Sequence, residues 1–576
     1  MTKKTFIPLL YSIVIIILLN NISSFIFYRL DLTSEKRFTL SEETKNVLEG
    51  IDDIIYIKVY LDGEFPSGFK RLQNKTKEML QSFQKVAKEK IIFEFINPSE
   101  SINSKDRNAL YKQLIEQGLQ PTDLQVKKQS GMSSSIIFPG AVVYYKEKHL
   151  PIHLLKNELG VLPEVALNNS IETLEYEFIS TINKLSRNTK KKIAFLQGHG
   201  ELTEREVADI SFSLLKDNYS LSEYYDIEHF DISKFKKDTA NKPDLSKQLQ
   251  KIKTYKAIII AKPTIAFNHL DKLLIDQYIV SGGSVLWLVD GINASMDSLK
   301  VLDGYFIATK NEINLDDMLF KYGIRINADL IQDQRAVEIP IITGYSGNVP
   351  QQSFLKWPYY SLLLSDSEHY ISKNLDAIKC EFVSSIDTIK NNIDKTILLH
   401  SSSHARISPS PHRVSLGILK NPPPAKYFNK TNIPIAVLLE GNFESIFKNR
   451  IIPKSKDLEF KRNGKISRMI VVSDGDIIRN EVSKRTANIF PLGYDKFREF
   501  TYSGNKHFIM NCMHYLCEDI ALLSLKTKEL KLRLLNKQKI QQYRGSIQTI
   551  NILLPILIII LFGVIFNSIR KKKYVK

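Results

Sequence analysis

Cysteine is scarce: the 576 residues contain three, Cys380, Cys512 and Cys517. Three thiols cannot frame a disulfide-stapled fold. Cys512 and Cys517, five apart, would sit about 140° apart around a helix axis, which suits neither a bridge nor a shared metal. All three read as small buried apolar groups. Motifs with a known chemistry are missing as well. No Gly-x-x-x-x-Gly-Lys-[Ser/Thr] loop occurs, which excludes ATP hydrolysis of the Walker kind. No Gly-x-Ser-x-Gly elbow, His-Glu-x-x-His pair or Cys-x-x-Cys pair occurs either, so no serine nucleophile, zinc helix or dithiol announces itself.

Acidic residues are outnumbered, 62 against 80 Lys and Arg, leaving a net charge of +18. Such a surplus points to nucleic acid or an anionic surface. The basic residues are spread along the chain without a compact stripe interleaved with aromatics, so nucleic acid is not expected as a partner. With 43% hydrophobic and 25% charged residues the composition is that of an ordinary globular protein, and its length allows several domains.

Long apolar runs are confined to the two ends. Residues 6–28, "FIPLLYSIVIIILLNNISSFIFY", follow a short tail (1–5) and have the length of a membrane span. Apolar residues resume after Asn20 and Asn21 with no small-residue cleavage site, which favours an uncleaved anchor over a signal peptide. Residues 547–567 form the second run, in which Pro555 and Gly563 are tolerable inside a membrane helix. Two spans put both tails on one side and the body on the other. The tail at 568–576, with Arg570, Lys571, Lys572 and Lys573, argues for a cytoplasmic C-terminus. The basic stretch at 526–546 pulls the other way, or lies against lipid headgroups. Charge alone leaves the orientation open.

Between the anchors the pattern is α/β. Ser41 with Thr44 downstream starts a short helix. Strands at "DIIYIKVYLDG" and "KIIFEFINP" flank an amphipathic helix, and after a further helix "SSIIFPGAVVYYKEKHLPIHLL" reads as a hairpin. The order β-α-β-α-β-β over residues 29–188 is thioredoxin-like in outline. Its linker helix carries Ile171, Leu174, Phe178, Ile179, Ile182 and Leu185 at helical spacing, a core-packing stripe. A second domain, 189–310 and 431–525, alternates helices with the near-continuous apolar strands "KIAFLQ", "YKAIIIAKPT", "SVLWLVDG", "IPIAVLLEG" and "SRMIVVSDGDII". A helix is expected over "LTEREVADISFSLLKD". This is the pattern of an open parallel sheet covered on both faces. Residues 311–430 lack the repeat and read as an insertion or third lobe, with "NPPPAKYFNK" an exposed loop.

Ligands of open parallel sheets bind at the carboxyl ends of the strands. Here those ends carry His199, Glu201, Pro263, Asp290, Glu440, Asp474 and Asp476. His199, Glu201, Asp290, Asp474 and Asp476 form the candidate ligand edge: carboxylates with an imidazole suit a divalent cation or a hydrolysis. The blander account is stronger, since Asp after a strand caps the next helix and glycines allow a tight turn. No catalytic residue, metal or cofactor is therefore assigned.

The stretches "RLDLTSEKRFTLS", "VYLDGEFPSGFKRLQNKTKEML", "LNNSIETLEYEF", "KKIAFLQGHGEL", "VSGGSVLWLVDG" and "VVSDGDIIRNE" occur in an order that resembles the GldG family, the auxiliary, substrate-binding-like component accompanying an ABC transporter in gliding Bacteroidetes. The resemblance implies a class I glutamine amidotransferase-type sheet without the catalytic cysteine, and a body on the periplasmic side of the cytoplasmic membrane. It implies a separate multi-span permease and a separate ATPase as partners, with gliding motility as the process. The expectation is a non-catalytic accessory subunit. The competing expectations are a membrane-tethered hydrolase using His199, Glu201, Asp474 and Asp476, and a module binding an anionic envelope polymer.

Overall fold

The computed structural model describes residues 39–574 except 101–102, 129–130, 156–162, 188, 215–218, 235–243, 302–303, 366, 374, 451–459, 484, 520–522 and 524–542. The expected first span at 6–28 and most of the basic stretch at 526–546 lie outside the described residues. By internal contacts the chain divides into residues 40–528 and the terminal segments 1–39 with 529–576.

The larger unit opens with α1 (Glu42–Glu49), whose N-cap is Ser41: its hydroxyl accepts from Thr44 N at 3.1 Å. A capping box would draw its carboxylate from the third helical residue, but Thr44 stands there. Glu175 supplies it instead from the linker helix, accepting from Ser41 N at 2.9 Å and from the Thr44 hydroxyl at 2.7 Å. Then follow β1 (Ile55–Val59), α2 (Ser67–Val86), β2 (Ile91–Phe95), α3 (Ser104–Glu116), the hairpin β3 (Thr122–Lys128) and β4 (Gly131–Ile137), and the hairpin β5 (Gly140–Tyr145) and β6 (Lys148–His153). The sheet order is β2-β1-β5-β6, with β1 and β2 parallel and β5 antiparallel to β1. The β3–β4 hairpin is an addition to the pattern read from the sequence.

The linker helix α4 (Pro163–Ser186) buries Leu174, Phe178, Ile179, Ile182 and Leu185, as the stripe predicts. Phe178 meets Phe83 of α2 edge-on, ring centroids 6.4 Å apart. One continuous apolar cluster joins these residues to Ile193, Phe195, Ile259, Leu286 and Ile470 on one face of the central sheet. Strand neighbours alternate, so Ala194, Leu196, Ile258, Ile260, Trp287 and Val471 fill the core on the other face.

Among the described residues that sheet has seven strands: β7 (Lys191–Gln197), β8 (Tyr225–Asp231), β9 (Ala257–Ala261), β10 (Ser284–Leu288), and later β13 (Asp394–His400), β14 (Pro434–Glu444) and β15 (Asn463–Val472). Intervening β11 (Ala336–Ser346) and β12 (Val349–Leu363) form a long hairpin in the lobe. The order is β13-β14-β15-β10-β9-β7-β8. From β8 to β15 all neighbours are parallel, but β14 runs antiparallel to both β15 and β13. The fully parallel expectation is thus corrected: the sheet is mixed. An apolar run such as "PIAVLL" reads the same in either direction, so burial shows in the sequence and strand direction does not.

Two further expectations shift. The helix expected over 202–217 is Ala208–Phe212 among the described residues, because Thr203 and Glu206 close a local turn first. Residues 394–400, inside the range read as an insertion, pair into the central sheet, Met318, Tyr322, Ile371 and Cys380 of that range join the cores on its faces, and Trp357, Tyr359 and Phe382 centre a separate core. Helices α5 (His269–Val280) and α6 (Gly504–Leu516) cover opposite sheet faces. In the other unit α7 (Arg544–Tyr574) is the one helix among the described residues long and apolar enough to cross a membrane.

Candidate functional site

Strand β7 is flanked by β8 on one side and β9 on the other, so chain order reverses there. The carboxyl ends of β7 and β9 therefore border the crevice where a doubly wound sheet binds its ligand. Here the crevice is filled by the turn that follows β7. Gly198 and Gly200 adopt φ of +126° and +71°, left-handed values that favour glycine. A Cβ on Gly200 would lie 2.2 Å from Thr264 Oγ1. The carbonyl of His199 accepts from Thr264 N and Ile265 N, both at 2.8 Å, locking the turn onto the residues after β9.

The His199 ring stacks on Phe267 at a centroid distance of 3.7 Å. Its Nε2 lies 2.9 Å from Asp271 Oδ2 and its Nδ1 3.3 Å from Glu201 Oε1. The other Glu201 oxygen accepts from the His199 amide at 2.7 Å. Asp271 belongs to the first turn of α5, whose N-cap Asn268 also donates to it at 2.7 Å. Burial alone would lower the imidazole pKa, but its hydrogen bond with Asp271 and the adjacent Glu201 carboxylate prevail and raise it to about 9. His199 is thus a buried imidazolium between two carboxylates. A base already protonated at neutral pH is poorly placed to accept a proton.

The three aspartates gather separately, at the ends of β10 and β15. Carboxylate oxygens of Asp290, Asp474 and Asp476 lie within 4.8 Å of one another. Three such ligands could hold a hard divalent cation. A cation of the chain's own is already there: Lys262 Nζ lies 2.7 Å from Asp290 and 2.5 Å from Asp476. Arg479 Nε stands 2.9 Å from the other Asp476 oxygen. Burial of Lys262 opposes its charge, and the adjacent Asp290 and Asp476 outweigh that and raise its pKa. Asp474 is held well above the usual carboxylate range, first by burial and then by the charges of Asp476 and Asp290.

The five candidate residues therefore fall into two clusters that share no hydrogen bond or ion pair among the described residues. Glu440 belongs to neither. Because β14 is antiparallel, Glu440 sits at the opposite end of the sheet, paired with Arg468 at 3.0 Å. Sequence reasoning missed Lys262 and Asp271. The signal for Lys262 was a charged residue directly after a fully apolar strand; the structure holds it in a left-handed conformation (φ +54°) that marks a constrained position. Asp271 looked like any first-turn acid. Beside the aspartate cluster, Glu381 and Arg479 lead into a cavity of about 700 Å³.

Comparison with known proteins adds the following. An uncharacterized protein of Borreliella burgdorferi is 23% identical over 97% of this chain and 96% of its own length. Among solved structures, an mmIFT52 N-terminal domain (15% identity, TM-score 0.30) is covered over 97% of its length and 57% of this chain. A ThuA-like protein from Bacteroides uniformis (14% identity, TM-score 0.26) is covered over 93% of its length and again 57% of this chain. Residues 34–144 match a domain of unknown function. The stretch 190–512, more than half of the chain and containing both clusters, matches a family model described as an ABC-type uncharacterized transport system, and the chain belongs to that family of auxiliary components.

Proposed function

We propose that the protein is a non-catalytic accessory subunit of an ABC-type transporter, working with a separate multi-span permease and a separate ATPase. The family match over 190–512 carries the reading. The two clusters support its non-catalytic part: His199 is held charged between Asp271 and Glu201, and Lys262 occupies the carboxylates that a metal would use. A hydrolase would need His199, Glu201, Asp474 and Asp476 to converge, and their separation counts against it. The body is proposed to lie on the periplasmic side, tethered by α7 and by residues 6–28. The strand order β2-β1-β5-β6 supports a thioredoxin-like first domain without redox chemistry, and the central sheet an amidotransferase-type body without its nucleophile. Gliding motility, implied by the GldG resemblance, is the proposed process.

Affinity purification of the tagged protein from gently solubilised membranes tests the core of this reading. A permease and an ATPase should co-purify in fixed proportion. Recovery of the chain alone across several mild detergents overturns it. Protease added to spheroplasts should digest the body and spare the tails; protection until lysis would reverse the orientation.

A further inference from the structure

The chain carries a net charge of +18, yet the 700 Å³ cavity is lined by five carboxylates, Glu206, Asp297, Glu381, Glu481 and Asp495, against four cations. The cations are largely committed. Lys379 pairs with Glu381 at 2.9 Å, Lys496 with Glu481 at 2.6 Å and Arg479 with Asp476 at 2.9 Å. Arg485 is exposed at the rim. These pairs use Glu381 and Glu481, Glu206 accepts from the Thr203 amide and hydroxyl, and Asp495 is the most deeply buried of the remaining carboxylates. It is 2% exposed, and its Oδ1 accepts from Phe497 N at 2.9 Å, while its Oδ2 is buried with no hydrogen-bond partner among the described residues. A buried acceptor without a donor is costly, and native structures seldom leave one unfilled. On the same wall the rings of Phe490 and Tyr494 stack at 4.5 Å and 4°. A carboxylate beside aromatic faces is the chemistry that receives an organic cation.

We infer that this cavity is a binding site for a small organic cation, a protonated amine or guanidinium, with Asp495 as its anionic anchor and the Phe490–Tyr494 pair as its apolar wall. The volume suits a small polar molecule. Entry of the ligand turns the buried Asp495 carboxylate toward the cavity, the donor group supplies the partner its Oδ2 lacks, and the ligand's charge offsets the carboxylate excess. The inference does not rest on the transporter reading: co-purification can fail while amine binding holds, and the reverse.

Calorimetric titration of the full-length protein in detergent with spermidine and with L-arginine amide, against glutarate as the anionic control, tests it. Saturable binding of an amine and none of glutarate is expected. Asp495→Asn keeps the oxygen that caps Phe497 and should weaken amine binding about tenfold or more. Asp52→Asn, at an exposed carboxylate outside the cavity, should leave it unchanged. Ser483→Trp fills the cavity from its wall and should abolish binding, which keeps the test decisive if Asp495→Asn fails to fold. Absence of amine binding, preference for glutarate, or affinity unaltered by either cavity variant overturns the inference.

Discussion

Replacing His199 by Gln tests the account of the turn after β7 most directly. The imidazole is raised from 6.5 to about 9 between Asp271 and Glu201, a rise equivalent to about 3 kcal/mol. Because the folded pKa lies above the unfolded one, this contribution is fully present below about 6.5 and is lost as pH rises through about 9. His199→Gln leaves two buried carboxylates without their cation, a loss of about 3–5 kcal/mol at pH 6. The gap between wild type and variant should therefore narrow by about 3 kcal/mol between pH 6 and pH 9.5. The wild-type curve alone would mislead: burial holds the Cys380 and Cys512 thiols well above their ordinary range and Cys517 up to about 12, so ionisation of unfolded thiols also erodes stability near pH 9. The difference cancels that contribution. Urea unfolding followed by the fluorescence of Trp287 and Trp357, both fully buried and each in a different core, supplies the assay. Parallel pH profiles for the two proteins would refute the charged-imidazole account.

Lys262→Met should destabilise the fold by about 3–5 kcal/mol by stranding Asp290 and Asp476, and added Mn²⁺ should restore part of the lost Tm in the variant alone. Gly200→Ala forces a Cβ to within 2.2 Å of Thr264 Oγ1 at φ +71°, and should cost about 2 kcal/mol or more, read as a lowered Tm. Glu175→Ala should cost about 1 kcal/mol through the α1 cap it completes, a change visible as faster amide exchange near Ser41. Native protein should resist iodoacetamide at Cys380, Cys512 and Cys517, which are all buried, and react at all three in urea.

Most of the central strands were legible because both sheet faces are covered and their residues are apolar without alternation. The linker helix was legible from spacing alone, since Leu174, Phe178 and Ile182 share one stripe. Strand β8, "YDIEHFD", was not, because an edge strand is only partly buried and keeps polar residues. Direction was hidden too, and with it the true place of Glu440. At the strand ends, the sequence placed Asp290, Asp474 and Asp476 along one sheet edge but could not tell that a lysine after β9 answers them: Lys262 lies far along the chain from Asp476. His199 was legible as a turn residue. Its partner Asp271 was not, because nothing in the sequence ties the end of β7 to the start of α5.

The mixed sheet also bears on the timing of folding. Leu286 of β10 pairs with Ile470 of β15, so the strand that covers this edge is synthesised only after the whole lobe. Until then β10 presents an apolar, unpaired edge, the kind of surface that recruits wrong partners. Pairings this distant in sequence are slow to form. A chain of this design passes through a long interval in which half a sheet is open, and its safe assembly depends on how quickly residues 463–472 arrive and on what shields β10 meanwhile.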